Sequence, residues 1–462
     1  MSVHVFAGPT VPAARVRELV PGAVCHPPVR HGDLLRLGAG PGDTVVVIDG
    51  LWHQSAPVRH KEILLLLAEG VRVVGAASMG ALRAAELAPY GMTGAGQIFD
   101  QLQAGVLDAD DEVAVLHTPD GRPLAEALVN LRTALTRCSA AGLISTAAAR
   151  TLEDLARALP YTRRSWAALG HSAAQAGAAE PFETVDAWRR THPYDLKRED
   201  AELALALVAA DPAPVTGAGP WVEEPWRTSF VRYWAATFRP DQETGTVPFL
   251  AVLQHQQLYD PHFAGRWRAR VLAAVARRPP TRATPDLDSA ALRVAAAEGV
   301  DTAGMSRRQL AFWLTPEEIR DLEPDEALLR LIVRSARLDG AWTAWPSTRA
   351  EAGELLDTGL PTAEAVAEAF ALNAAVEAAD ARRSTAHLAP DRIGRHLAAR
   401  WDLAADADRA VLDAAARDRA FRDFAGAVEV ARAFYLGARA AETSSPPSAV
   451  VSSSAASESQ RT

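Results

Sequence analysis

Residues 71–83, Val71-Arg72-Val73-Val74-Gly75-Ala76-Ala77-Ser78-Met79-Gly80-Ala81-Leu82-Arg83, decide the fold. The valines make a short β-branched run that reads as a strand, and Gly75-Ala76-Ala77 carries the chain out of it. Ser78 stands at the turn, and Met79 to Leu87 follows at once as a helix that Pro89 and Gly91 stop. The same strand-to-helix rhythm runs upstream. Val3 to Ala7 is a strand ending at Gly8-Pro9-Thr10, and a helix from Ala13 to Val20 is stopped by Pro21-Gly22. Ala23 to His26 gives a second strand. Thr44 to Ile48, almost wholly β-branched, has the composition of a central strand covered on both faces, and it ends at Asp49-Gly50. Val58 to Glu69 is a helix with Gly70 at its end. Strands alternating with crossover helices make a parallel sheet, and three of them deliver Thr10, Asp49 and Ser78 to one edge. In open parallel sheets, ligands bind outside the carboxyl ends of the strands.

Downstream the pattern changes. Leu124 to about Val208 is mainly helical, Asp211-Pro212-Ala213-Pro214 reads as a boundary, and Pro220 to Glu442 is helix-rich with eight of the eleven tryptophans. Thr315-Pro316-Glu317-Glu318 has the residues of a helix start: a Thr cap, Pro at the first position and Glu at the third. Leu328, Leu331 and Ile332, with Ser335, fit a core-facing helical face. From Thr443 the chain is Ser, Pro and Ala without apolar periodicity, so a disordered tail is expected. The expected fold class is therefore α/β, a Rossmann-like parallel-sheet N-terminal domain followed by a mainly α-helical C-terminal domain. The expected divisions are 1–212, with its helical extension, 213–442, and the tail 443–462.

Bulk numbers narrow the function classes. A 462-residue chain with 48% apolar residues can bury more than one core. Its net charge of -9 argues against a phosphate-tracking nucleic-acid binder. Cys25 and Cys138 make no disulfide framework and no metal spacing, so each reads as a small buried apolar residue. The N-terminus reads as a strand, and the longest aliphatic run, Ile63 to Ala68, is far short of a membrane span. A cytoplasmic protein without metal or cofactor is expected. Of the 48 basic residues, only Lys61 and Lys197 are lysine. If coding bias has turned nearly every lysine to arginine, a survivor either marks a place where a compact ammonium that can lose its proton is wanted or has survived by chance. Lys61 has the more suggestive neighbours.

The chemistry centres on Ser78. Small flanking residues at a strand-to-helix turn hold a hydroxyl up as a nucleophile elbow does, and the helix N-terminus offers N–H groups to an oxyanion. Ala76 stands where the elbow motif has glycine. The same placement also suits a serine that only caps the helix. Asp49, at a strand end, can orient a base or a cation, and His60 or Lys61 can serve as base; equally, His60-Lys61-Glu62 is an ordinary solvated helix face and Asp49 a turn residue. Weaker signals are Gly91 to Gly96, read as a flexible turn, and Asp108 to Glu112, read as a solvated loop or helix cap rather than a cation site. A Val113-Ala114-Val115 strand would set those acids at a sheet end. Six arginines between Arg266 and Arg282 surround Trp267; they read as a solvated amphipathic helix, with docking of an acidic peptide as the other reading.

In order along the chain, these segments resemble the TfuA-like family: Val5-Phe6-Ala7-Gly8-Pro9-Thr10, Gly32-Asp33, Ile48-Asp49-Gly50 and Val58-Arg59-His60-Lys61-Glu62-Ile63-Leu64. The densest match is Gly75 to Leu87, followed by Gly91-Met92, Gly94-Ala95-Gly96 and Asp110-Asp111-Glu112-Val113-Ala114, with an echo at Leu196-Lys197-Arg198-Glu199-Asp200-Ala201. The resemblance covers about the first 205 residues. It implies an accessory protein for YcaO-type enzymes in peptide backbone thioamidation. Such a protein hydrolyses the C-terminal thiocarboxylate of a ubiquitin-like sulfur carrier protein to release sulfide, and helps the YcaO enzyme engage its precursor peptide. Under that reading Ser78 is the nucleophile, with Lys61, His60 and Asp49 as catalytic partners. Ala76, Ala77 and Gly80 leave room for a thin diglycine tail, Gly8 and Thr10 join Ala77 and Gly80 in binding substrate, and Arg83 pairs with the sulfur-bearing anion. The alternative is a non-catalytic adaptor that presents YcaO enzyme, carrier and peptide to one another.

Overall fold

A computed structural model describes residues 1–52, 55–118, 121–211, 228–241, 247–276, 286–336, 346, 348–380, 383–404 and 406–444. Five short strands form one parallel sheet: β1 (Val3–Phe6), β2 (Val24–His26), β3 (Thr44–Val47), β4 (Arg72–Ala76) and β5 (Thr93–Ala95), in the order β2-β1-β3-β4-β5. The register sets Val5 opposite Val46, Val46 opposite Val74, and Val74 opposite Thr93. All four β3 residues are buried, as the β-branched run requires of a strand covered on both faces.

Helices cover both faces. On one lie α1 (Ala13–Leu19) and α10 (Leu196–Ala210), which bury Val16, Ala201, Ala204 and Leu205 against Val46, Ile48 and Val74. On the other, α3 (His60–Ala68) and α4 (Met79–Leu87) pack with the short α2 (Asp33–Arg36). Helix α4 lies hard against the strands. A Cβ on Gly80 would stand 1.7 Å from the Val47 carbonyl oxygen, and one on Gly75 would stand 2.1 Å from the Gly80 oxygen. Beyond β5, α5 (Gln97–Gln103) is followed by a helical extension, α6 (Leu128–Ala140), α7 (Thr146–Ala158), α8 (Trp166–Gln175) and α9 (Ala179–Arg189), with its own core around Leu131, Leu135, Leu152, Leu169 and Val185.

Several expectations need amending. Gly91 to Gly96 is not a loose turn: Thr93–Ala95 is the edge strand β5, and α5 starts right after it. Thr-Gly-Ala has no β-branched run to announce a strand; its neighbour β4 supplies the pairing. Val113-Ala114-Val115 is not a strand. It is the middle of a crossover segment that Arg132 and Arg164 hold through Glu112 and Asp111. Glu62 is not on a solvated face but fully enclosed, where it accepts from Gly32 N–H at 2.7 Å and Arg59 N–H at 3.0 Å, with the His31 ring 2.6 Å away.

The chain divides into two compact units, Met1–Arg239 and Pro240–Thr462. Helix α11 (Ser229–Phe238) belongs to the first, where Val231, Trp234 and Phe238 join the core around Val47 and Ile63. The division thus falls past the expected Asp211–Pro214 boundary, of which residues 212–214 lie outside the described residues. Every described secondary-structure element of the second unit is a helix. Its helix Pro316–Asp321 starts as the sequence announces: Thr315 Oγ1 accepts the Glu318 N–H, and Glu318 returns the bond to the Thr315 N–H at 2.8 Å. The last described helix, Tyr435–Ser444, runs two residues into the stretch expected to be disordered; 445–462 lie outside the described residues. Among the described residues, no helix is long and apolar enough to cross a membrane.

Candidate functional site

The site lies at the carboxyl edge of the sheet, where the ends of β1, β3 and β4 meet the start of α10. Asp49, following β3 and 3% exposed, holds the β1–α1 loop. Its carboxylate accepts the Gly8 and Thr10 N–H groups at 2.9 and 3.0 Å and the Thr10 hydroxyl at 2.6 Å. These bonds tie the ends of β1 and β3 together.

Ser78 sits on a strained turn. Its N–H donates to the Ala76 carbonyl at 2.7 Å across Ala77, whose φ is +66°. This is the positive-φ form of the three-residue turn, the rarer and more strained one, and Ala77 adopts it without a glycine's freedom. Strain of this kind persists only where the surroundings over-determine it, and it gathers at functional sites. Ser78 itself has φ -129° and ψ -120°, and its side chain makes no capping bond to α4. Ser78 thus stands at the N-cap position of α4, its carbonyl accepting the Leu82 N–H at 3.2 Å, without a side-chain capping bond. Its hydroxyl donates instead to the Val113 carbonyl at 3.4 Å. Among the described residues the N–H groups of Met79 and Ala81 have no hydrogen-bond acceptor, while Gly80 N–H is taken by the Ile48 carbonyl. Two backbone donors are thus left at the positive end of α4.

The second donor to the Val113 carbonyl is Lys197, at 2.8 Å. Lys197 is in the first turn of α10, after Asp195, whose side chain caps that helix through the Arg198 N–H. Hydroxyl and ammonium therefore meet about one carbonyl oxygen. Burial pushes the Lys197 ammonium below its ordinary value of 10.5; Asp49, Asp195 and Glu126 oppose that shift and do not cancel it. The residues around it are fixed in turn. Asn130 accepts the Lys197 N–H at 3.2 Å and donates to Glu126 at 3.0 Å and Asp195 at 2.9 Å. Burial also raises the Glu126 carboxyl, against the Asn130 bond that lowers it.

Lys197 is reached through a cleft of about 340 Å³ lined by Thr10, Val115, Glu126, Asn130, Trp166 and Tyr194. A second cleft, about 250 Å³ and lined by Leu51, Trp52, Ala114, His117 and Tyr161, shares Val115 with it. Ser78, 4% exposed, lines neither cleft.

The other expected site residues lie elsewhere or act differently. His60 and Arg83 converge on Glu86, at 2.7 and 2.6 Å, in a partly exposed cluster, and Arg83 also donates to the Val58 carbonyl. Neither has Ser78 as a partner. Lys61 is partly exposed and its ammonium faces the Thr228 hydroxyl at 3.5 Å. Gly80 keeps its small size for packing on Val47 and Gly75, and Ala77 is fully enclosed. Of the residues expected to take part, the structure brings together Asp49, Gly8 and Thr10, with Ala77 and Ser78 at the neighbouring strand end. It adds Lys197 and Asn130, which sequence reasoning had not placed there. A signal was present: Lys197, Asp200, Ala201, Ala204, Leu205 and Val208 all lie on the buried face of α10. A lysine on an apolar helical stripe is one the fold has to accommodate on purpose. Among the described residues, no cluster of His, Cys, Asp and Glu has metal-binding geometry.

Residues 49–165 match a family model described as TfuA-like protein. No curated protein matches the chain.

Proposed function

We infer that this chain, which belongs to the TfuA-like family through residues 49–165, works with a YcaO-type enzyme in peptide backbone thioamidation and releases sulfide from a thiocarboxylated ubiquitin-like sulfur carrier. The observation that carries the chemical part is the shared Val113 carbonyl, which accepts both the Ser78 hydroxyl and a lysine whose proton affinity is depressed by burial. A serine needs a base to become a nucleophile, and a desolvated lysine is one of the groups that serves. Asp49 keeps its three bonds to the β1–α1 loop and lends negative charge to Lys197.

The reaction balances as an acyl transfer. Neutral Lys197 takes the proton of Ser78 Oγ, and the oxygen attacks the thiocarboxylate carbon. The free N–H groups of Met79 and Ala81 stabilise the oxyanion. The C–S bond breaks with its electron pair going to sulfur, which receives the proton from Lys197 and leaves as hydrosulfide. Water, activated by the same lysine, then attacks the ester carbon; it releases the carrier as a carboxylate and returns the hydroxyl to Ser78. Access requires the Val113 segment to give way, since Ser78 is nearly enclosed.

That enclosure is also the observation that favours the adaptor reading, in which the chain binds carrier and YcaO enzyme without chemistry. Incubation of the purified chain with thiocarboxylated carrier, with sulfide assayed over time, separates the two. Sulfide release above the carrier's own hydrolysis supports the hydrolase; carrier binding with no excess sulfide leaves the adaptor.

A further inference from the structure

In the second unit, the helices Pro390–Arg400 and Tyr435–Ser444 border an open cleft of about 530 Å³. The first helix buries Ile393, Gly394, Leu397 and Ala398 and turns Arg392, Arg395 and Arg400 to the cleft. Arg439 enters from the second helix, where it pairs with Glu442 at 2.6 Å. The other three guanidiniums have no carboxylate partner among the described residues, although Arg400 lies over the Tyr259 ring, 6.0 Å from its centroid. In a chain with a net charge of -9, three arginines without an ion pair among the described residues thus line one cleft.

The contrast with the segment that the sequence made attractive is direct. Arg266 pairs with Asp260, Arg268 with Asp288 and Glu326, and Trp267 is fully buried, so their charge is spent inside the fold. Arg277, Arg278 and Arg282 lie outside the described residues.

An unpartnered polar atom also lies in the wall of the cleft. His396 lines it with a side chain only 6% exposed, and its Nε2 is buried without a hydrogen-bond partner. Its Nδ1 is 3.6 Å from Glu442, and burial holds the ring below its ordinary value of 6.5. A buried polar atom left unpaired costs free energy.

We propose that this cleft binds an extended acidic peptide segment. Arg392 and Arg400 are eight residues apart, roughly 12 Å along a helix, which matches about three to four residues of extended chain. Guanidiniums spread over that length serve several carboxylates in line, each matched by a planar fork, better than they serve one compact anion. The Ala399 methyl and the Tyr435 ring give the backbone of such a segment an apolar floor. The proposal stands on this unit alone and does not depend on the chemistry at Ser78.

The test uses the full chain and a fluorescein-labelled peptide of alternating glutamate and glycine, read by anisotropy, with the glutamine-glycine peptide as its neutral counterpart. The acidic peptide should bind, the neutral one should not, and the double variant Arg392→Gln/Arg395→Gln should weaken binding roughly tenfold. Arg320→Gln, in an exposed pair with Asp321, should change nothing. Both cleft arginines are exposed, so a thermal melt should be unaltered. Equal binding of the two peptides, or full affinity in the double variant, would overturn the proposal. Complete displacement by equimolar inorganic phosphate would overturn it in favour of a single-anion site, and tighter binding of an oligothymidylate in favour of nucleic acid.

Discussion

Lys197→Arg and Lys61→Arg, compared in one assay, put the reading of the site at most risk. Arginine keeps the positive charge that Asp49, Asp195 and Glu126 face, so the electrostatic balance around position 197 survives the change. Two things do not. A guanidinium does not give up its proton near neutral pH, and its planar fork needs room that an enclosed Nζ bonded to Val113 does not offer. Overpacking of that order costs roughly 1–3 kcal/mol, so the variant should fold with a lowered melting temperature. Sulfide release should fall on the order of 10³-fold or more, as when a member of a nucleophile–base pair is lost. Lys61→Arg, with its ammonium partly exposed opposite Thr228, should stay within a few-fold of the parent. The pH profile supplies a second reading. The rate should rise as Lys197 deprotonates, with an inflection below 10.5, and that limb should vanish in Lys197→Arg. Stability carries the same sign. Between the depressed folded value and 10.5, the unfolded chain holds a proton that the folded chain has released. The parent therefore gains stability as pH rises through that window, and Lys197→Met does not. Normal sulfide release by a folded Lys197→Arg protein, with loss in Lys61→Arg, would refute the assignment.

Three further outcomes follow from named contacts. Ser78→Ala removes one long hydrogen bond to Val113, so its melt should shift by no more than about 1 kcal/mol while sulfide release falls roughly 10³-fold; near-normal turnover would eliminate the nucleophile. Gly80→Ala drives a methyl into the Val47 carbonyl and should destabilise the first unit by about 3 kcal/mol or more, seen as loss of its thermal transition; a parent-like melt would show that α4 can lift off the sheet. In the second unit, Arg334 and Arg330, together with the Thr315 N–H, hold the Glu318 carboxyl down at about 2 against its burial, from an ordinary 4.5. The stability this gives, about 3 kcal/mol, is present above pH 4.5 and lost as pH falls toward 2; Glu318→Gln should remove that acid sensitivity in melts at graded pH, and an unchanged profile would assign it to other carboxylates.

What was legible in the sequence was whatever the local chain dictates. The β-branched run of β3, the turn at Ser78 and the box at Thr315 each contain within a few residues the physics that forms them, and each stands where the pattern sets it. The edge strand Thr93–Ala95 lacked any such local signal, because its hydrogen bonds come from β4 and its side chains bury little. The same distinction explains the lysines. Lys61 was attractive because His60 and Glu62 are its chain neighbours, yet a helix turns adjacent residues to different sides. Glu62 goes inward to Gly32, His60 outward to Glu86, and Lys61 to Thr228. Lys197 is far from Ser78 along the chain and reaches it because α10 returns across the opposite face of the sheet and starts at the carboxyl edge. Its helical period was readable all the same. Lys197 and Asp200 share a buried stripe with Ala201, Ala204, Leu205 and Val208; Asp200 spends its charge on the N–H groups of Gln97 and Ile98 that start α5, with its carboxyl pushed up to about 6. One buried charge on that stripe therefore has a structural use that accounts for it fully. The other is aimed at a single carbonyl shared with a strained serine, and packing alone asks for no ammonium there.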